Sequence, residues 1–121
     1  MPSDGATQRL PRIAGKGKAL EMILTGEIID APEAYRYGIL NQITAPEQFE
    51  DELNKLTAKF SAKAPFALQY AKEAVNKGPD LTLEQGLKLE ADLYFLLHTT
   101  EDRTEGIRAF QQKRNPEFKG N

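Results

Sequence analysis

Phe49, Leu53, Leu56 and Phe60 recur at spacings of 4, 3 and 4 residues, which lays a single apolar stripe along an α-helix. The pattern stays helical from there to the end of the chain. Thr44-Ala45-Pro46-Glu47 reads as a capping box with proline in the first turn. Pro65 opens the next helix, where Ala67, Ala71, Ala74 and Val75 make a small-residue face suited to close packing. Lys77-Gly78-Pro79 stops it. Thr82 and Gln85 form a second capping box, and Leu83 to Leu97 carries a wide apolar surface. Leu83, Leu87 and Tyr94 lie on one side of that surface and Leu89, Leu93 and Leu96 on the other. Thr99 or Thr100 caps a last helix running to about Arg114, with Ile107 and Phe110 expected inward. Pro116 and Gly120 close the chain.

The first 44 residues are more broken. Residues 7–14 and 18–25 read as short helices, stopped by Gly15 and Gly17 and by Gly26. Glu27-Ile28-Ile29-Asp30 reads as a short extended piece. Asp30 is then an N-cap, with Pro32 in the first turn and Glu33 three residues on, and that brief helix ends at Gly38. Residues 39–44 form a second extended piece. Two such pieces are too few for a sheet-based fold. The expected class is mostly α with two short β segments.

Composition narrows the function. The 16 Lys plus Arg against 18 Asp plus Glu give a net charge of −2, against the basic excess of a nucleic-acid-binding module and so against a small helical DNA-binding domain. Hydrophobic residues at 40% and charged residues at 28% are globular values. There is no Cys, which excludes disulfides, thiolate nucleophiles and cysteine-ligated metals, and the single His98 excludes a site needing two imidazoles. No metal site is expected. No apolar run approaches a membrane span, Leu93-Tyr94-Phe95-Leu96-Leu97 being among the longest. Met1-Pro2-Ser3-Asp4-Gly5 has neither the basic nor the apolar region of a signal peptide, so a cytoplasmic location is expected. At 121 residues, one domain is the prior and two the maximum, and a chain this small gains from a partner or an oligomer.

Motifs for phosphate loops, zinc proteases and serine hydrolases are absent. His98 follows an apolar run at a helix end, where a partly exposed side chain facing the dipole is the simplest reading. Glu90 interrupts the 83–97 surface, most simply as an edge-of-face glutamate. The small, polar stretch from Ser3 to Leu10 runs into a helix start, whose free amides could hold an anion or polarise a carbonyl. From Arg108 onward, Arg108, Lys113, Arg114 and Lys119 face one acid, Glu117, making a small positive patch.

Gly5-Ala6-Thr7-Gln8-Arg9-Leu10-Pro11-Arg12, Gly15-Lys16 and Ala19-Leu20-Glu21-Met22-Ile23-Leu24-Thr25-Gly26 resemble the enoyl-CoA hydratase/isomerase (crotonase-like) family. The likeness continues through Ile29-Asp30-Ala31-Pro32-Glu33-Ala34, Tyr37-Gly38-Ile39-Leu40-Asn41 and Ala71-Lys72-Glu73-Ala74-Val75-Asn76. It ends with Thr100-Glu101-Asp102, Glu105-Gly106, Ala109-Phe110 and Lys113-Arg114, so it covers essentially the whole chain in family order.

The resemblance implies the C-terminal part of a crotonase-like (ClpP/crotonase) fold. Residues 1–44 would be a remnant of the core domain and residues 45–121 the helical trimerisation region. Family members are about twice as long. Their oxyanion-hole N–H groups and catalytic glutamates correspond to positions before the matched segment, so the implied activity on acyl-CoA thioesters is expected to be lost in this chain alone. Some members place a carboxylate in the loop occupied here by Ser3-Asp4-Gly5, which makes Asp4 a candidate auxiliary acid or base. A helix N-cap or turn aspartate is the simpler role. The A-F-x-x-K-R pattern, here Ala109-Phe110-Gln111-Gln112-Lys113-Arg114, implies that Phe110 and Lys113 contact CoA across a subunit interface. CoA belongs to the substrate, so no separate cofactor is expected. A homo-oligomer, a trimer or multiple of trimers, is implied, with no nucleic-acid or membrane partner. The alternative is a non-catalytic helical oligomerisation or interaction module, supported by the wide 83–97 surface.

Overall fold

The computed structural model describes residues 2–121 and contains seven α-helices among them: α1 Ala6–Ala14, α2 Lys16–Thr25, α3 Ala31–Arg36, α4 Phe49–Ser61, α5 Pro65–Lys77, α6 Leu83–Leu97 and α7 Glu101–Gln112. Single 3-10 turns lie at Pro46–Gln48 and Gly78–Asp80. The chain divides into two compact units, Met1–Phe49 and Glu50–Asn121. No helix among the described residues is long and apolar enough to cross a membrane.

In the first unit α1 packs on α2, and the small buried side chains are Ala19 and Ala34. Lys18 joins α2 to α3: its Nζ lies 2.7 Å from Glu21 Oε1 and 3.0 Å from Glu33 Oε1, and 5.0 Å from the Tyr37 ring centre. The expected Asp30 cap is present, its Oδ1 accepting from Glu33 N at 2.8 Å.

The two expected β segments are not formed. A short extended segment becomes a strand only when a neighbouring strand takes its N–H and C=O groups. Ile39 N instead donates to Ala34 O at 2.9 Å, and Leu40 N leans on the same carbonyl at 3.4 Å, so the start of the second segment closes the end of α3. The first segment runs without regular structure, with Ile28 99% exposed.

In the second unit α5 packs against α6, and Leu93 is the buried apolar residue of α6. The Thr82–Gln85 box is complete: Thr82 Oγ1 accepts from Gln85 N at 3.3 Å and Gln85 Oε1 accepts from Thr82 N at 3.1 Å. The box expected at Thr44 is not formed. Proline disfavours helical geometry in the residue before it, so Ala45 is extended and takes the N-cap position, and a 3-10 turn precedes α4. The stripe Phe49, Leu53, Leu56 and Phe60 lies along α4 as expected, yet each side chain stays between 44 and 54% exposed. Leu83, Leu87, Tyr94 and Phe95 of α6 are also exposed. Glu90 is exposed at the edge of α6, and His98 is the C-cap of that helix, its ring 4.9 Å from the Tyr94 ring in an edge-on contact.

Candidate functional site

The last helix is capped by Thr100, whose Oγ1 accepts from Arg103 N at 3.3 Å. It ends at Gln112, two residues earlier than expected. Its packed face is also not the expected one. Ile107 is 45% and Phe110 85% exposed, while Asp102 and Ala109 are buried. Asp102, Glu105, Gly106 and Ala109 fall at i, i+3, i+4 and i+7, one stripe of the helix. The chain after α7 folds back over that stripe.

Four sets of contacts hold the returning segment. Glu105 receives a two-pronged bond from Arg114, at 2.5 Å from Nη1 and 2.8 Å from Nη2, and Glu117 N donates to it at 3.0 Å. The Phe118 ring passes Gly106 so closely that a Cβ there would lie 3.6 Å from it. Asp102, 3% exposed, accepts from Lys119 N at 2.7 Å and Gly120 N at 2.9 Å. A buried carboxylate is tolerated only when donors replace its hydration, and two backbone N–H groups supply them here. Asn121 O then accepts from Glu101 N at 2.9 Å and Asp102 N at 3.3 Å, occupying open amides of the helix start. The Arg114 guanidinium, with help from Glu117 N–H, lowers the Glu105 pKa from its ordinary 4.5 to about 2. The bond to Glu105 raises that of Arg114.

The turn at the end of α7 leads directly into this clasp. Lys113 takes the left-handed conformation, φ 54 and ψ 38, immediately after the helix. Its N–H donates to Phe110 O at 3.2 Å and that of Arg114 to Ala109 O at 3.1 Å. These two bonds define a Schellman termination, with Lys113 at the position usually given to glycine. A non-glycine residue there costs roughly 1–2 kcal/mol. Phe110, one turn earlier, is exposed, and Lys113 is exposed. Among the described residues Lys113 is in no ion pair, whereas Arg114 is committed to Glu105.

Asp4 is the other non-glycine residue with positive φ among the described residues, at 58. It does not cap α1: Gly5 is the N-cap and no side chain bonds there. The Asp4 carboxylate is exposed in a turn and accepts from Ser3 Oγ at 2.9 Å. The carboxylate and the ammonium singled out in the sequence are therefore the two non-glycine residues held in a strained backbone, a condition that gathers at functional sites. Asp4 belongs to the first unit, and Phe110 and Lys113 to the second. Sequence reasoning missed the clasp residues Asp102, Glu105 and Arg114. For Asp102 and Glu105 the signal was the polar and small stripe at helical spacing along α7.

Together these features define a helical unit that presents an aromatic ring and a cation at a fixed helix end. The family model for enoyl-CoA hydratase/isomerase matches residues 1–121. The chain is 42% identical over 120 residues to 2,3-dehydroadipyl-CoA hydratase from Escherichia coli (strain K12), covering 99% of this chain and 47% of the relative. It is 36% identical over 117 residues to crotonyl-CoA hydratase from Syntrophomonas wolfei, covering 97% and 45%. The structure superimposes on the crystal structure of enoyl-CoA hydratase from Bacillus anthracis with a TM-score of 0.97 at 39% identity, over 100% of this chain and 47% of that one. The chain belongs to the enoyl-CoA hydratase/isomerase family, and it spans about half the length of these relatives.

Proposed function

We propose that this chain is the C-terminal, CoA-contacting and self-associating region of an enzyme acting on acyl-CoA thioesters, and that alone it does not hydrate an enoyl-CoA. The observation that carries this reading is the exposed Phe110 one turn before the left-handed Lys113. The ring can cover the adenine or pantetheine of CoA, across a subunit interface, while the Lys113 ammonium pairs with a phosphate as a mobile point charge. CoA is then part of the substrate, and no separate cofactor is needed.

Adding water across a conjugated thioester requires a polarised carbonyl and groups that move protons, worth a few kcal/mol and about 10² to 10⁴-fold respectively. The carboxylates of Asp102 and Glu105 are held by backbone N–H groups and Arg114, so neither is available as a base. Asp4 is exposed and serves at most as an auxiliary acid or base in a longer relative. Calorimetric titration with CoA, comparing the chain with Lys113→Ala, tests the contact. Weak binding lost in the variant supports it, and equal binding in both refutes it. Hydration of crotonyl-CoA is expected at background, and turnover near 1 s⁻¹ or above would refute catalytic silence.

A second reading, a non-catalytic helical oligomerisation or interaction module, is favoured by the half-exposed α4 stripe. Exposed apolar patches of this kind mark interfaces. Both readings expect a trimer or a multiple of trimers, and CoA binding separates them. A monomer by light scattering at micromolar concentration would remove the self-association from both.

A further inference from the structure

We propose that Glu105 and Arg114 are positioning residues for Lys113, holding its backbone in the left-handed conformation so that its ammonium meets an anionic ligand from a fixed point. The inference rests on the reading of Lys113 as a CoA-phosphate contact.

The chain contains its own comparison. Helix α3 ends with the same pair of hydrogen bonds as α7. Gly38 N donates to Tyr35 O at 3.0 Å and Ile39 N to Ala34 O at 2.9 Å, with Gly38 at φ 74. Glycine adopts that geometry without a steric penalty. Helix α7 makes the same reversal with a lysine, so something outside the turn must hold it. Arg114, the next residue, is fastened four ways. Its N–H closes the turn on Ala109 O, its two Nη groups grip Glu105, its Nε donates to Gln112 Oε1 at 2.7 Å, and Nη1 also reaches Asn115 O at 3.1 Å. Glu105 in turn takes Glu117 N, so one carboxylate, itself anchored on α7, ties both sides of the reversal. A planar guanidinium fork on a carboxylate fixes direction as well as distance. The strained residue therefore lies between a rigid helix and a residue that cannot turn, and the clasp leaves the Lys113 side chain exposed.

If Glu105 acts through Lys113, its effect on binding must depend on Lys113 being present. The test is a double-mutant cycle on this chain, with CoA as the probe and binding followed by NMR titration into the millimolar range. Lys113→Ala is expected to weaken binding at least fivefold. Glu105→Gln removes the charge-assisted grip and is expected to weaken it about two- to fivefold. Arg114→Lys keeps a cation but cannot form the fork, and is expected to match Glu105→Gln, which guards against a defect peculiar to one variant. In the Lys113→Ala background, Glu105→Gln is expected to change nothing beyond error. If Lys113→Ala weakens binding while Glu105→Gln and Arg114→Lys bind as the unaltered chain does, the positioning role is overturned and the contact stands. An equal loss from Glu105→Gln in both backgrounds also overturns it, because the effect then does not pass through Lys113. If Lys113→Ala binds CoA unchanged, or the unaltered chain does not bind it, the contact itself fails and the positioning role with it.

Discussion

Replacing Asp102 with alanine removes the carboxylate that ties the returning segment to the start of α7. Two backbone donors, Lys119 N and Gly120 N, lose their acceptor together. A buried donor left without a partner costs about 1–3 kcal/mol. Both bonds are only part-buried, so water recovers some of that and the lower half of the range applies to each. The lost attraction between a first-turn carboxylate and the helix dipole adds about 0.3–1 kcal/mol. Relief from keeping a charge out of water offsets part of the sum, leaving about 2–3 kcal/mol against the closed segment, or about 30- to 150-fold in its opening equilibrium. Amide hydrogen exchange reads this locally. Lys119 and Gly120 should exchange faster by that factor. Glu101 and Asp102 should follow, because their amides bond to Asn121 O. Asp102→Asn keeps one acceptor oxygen and should fall between. Exchange at Lys119 and Gly120 in Asp102→Ala within threefold of the unaltered chain would refute the clasp.

Glu105 predicts a pH dependence. Its folded-state pKa lies below its ordinary 4.5, at about 2. Its stabilising contribution is therefore full above about 4.5 and is lost as pH falls through about 2. Carbon-detected NMR of the Glu105 carboxyl should give a midpoint near 2, and a midpoint at or above 4 would contradict the Arg114 pairing. Gly106→Ala should be neutral or stabilising by up to about 1 kcal/mol in thermal unfolding, since its Cβ makes an ordinary contact with Phe118 in a helix that gains from alanine. Gly120→Ala should destabilise by about 1–2 kcal/mol, being held at φ +78 with its Cβ 3.3 Å from Pro65 Cγ, and the reverse order would be contradictory. Asn tolerates positive φ as Asp does, so Asp4→Asn in this chain joined to a family N-terminal half isolates the charge. Turnover should fall at least tenfold if Asp4 moves a proton, and an unchanged rate leaves a turn residue.

Helix positions were legible because their signals are local. Asp30, Thr82 with Gln85, and Thr100 each bond within three residues; the first two cap where the sequence placed them, and Thr100 is one of the two residues, Thr99 or Thr100, that the sequence offered for the last helix. The extended segments were not legible as unpaired, because a strand is a property of two segments and the sequence of one cannot show the absence of the other. Thr44 misled because the Thr-x-x-Glu spacing ignores what Pro46 does to Ala45. Helix α7 misled most. Its apolar residues Ile107 and Phe110 marked the open side, and its packed side is held by Asp102 and Glu105, whose partners lie 9 to 18 residues further along the chain. As a candidate CoA contact the pair Phe110 and Lys113 was reached only through the family pattern, since a lysine gives no sequence signal of a left-handed turn.

The most direct test of the central claim is a residue-by-residue map of where CoA touches this chain. In a titration followed by amide and side-chain NMR shifts, the account predicts saturable changes concentrated at residues 109–114, led by the Phe110 ring and the Lys113 side chain and weakened by added salt. Changes confined to other parts of the chain, or no saturable change up to millimolar CoA, would contradict it.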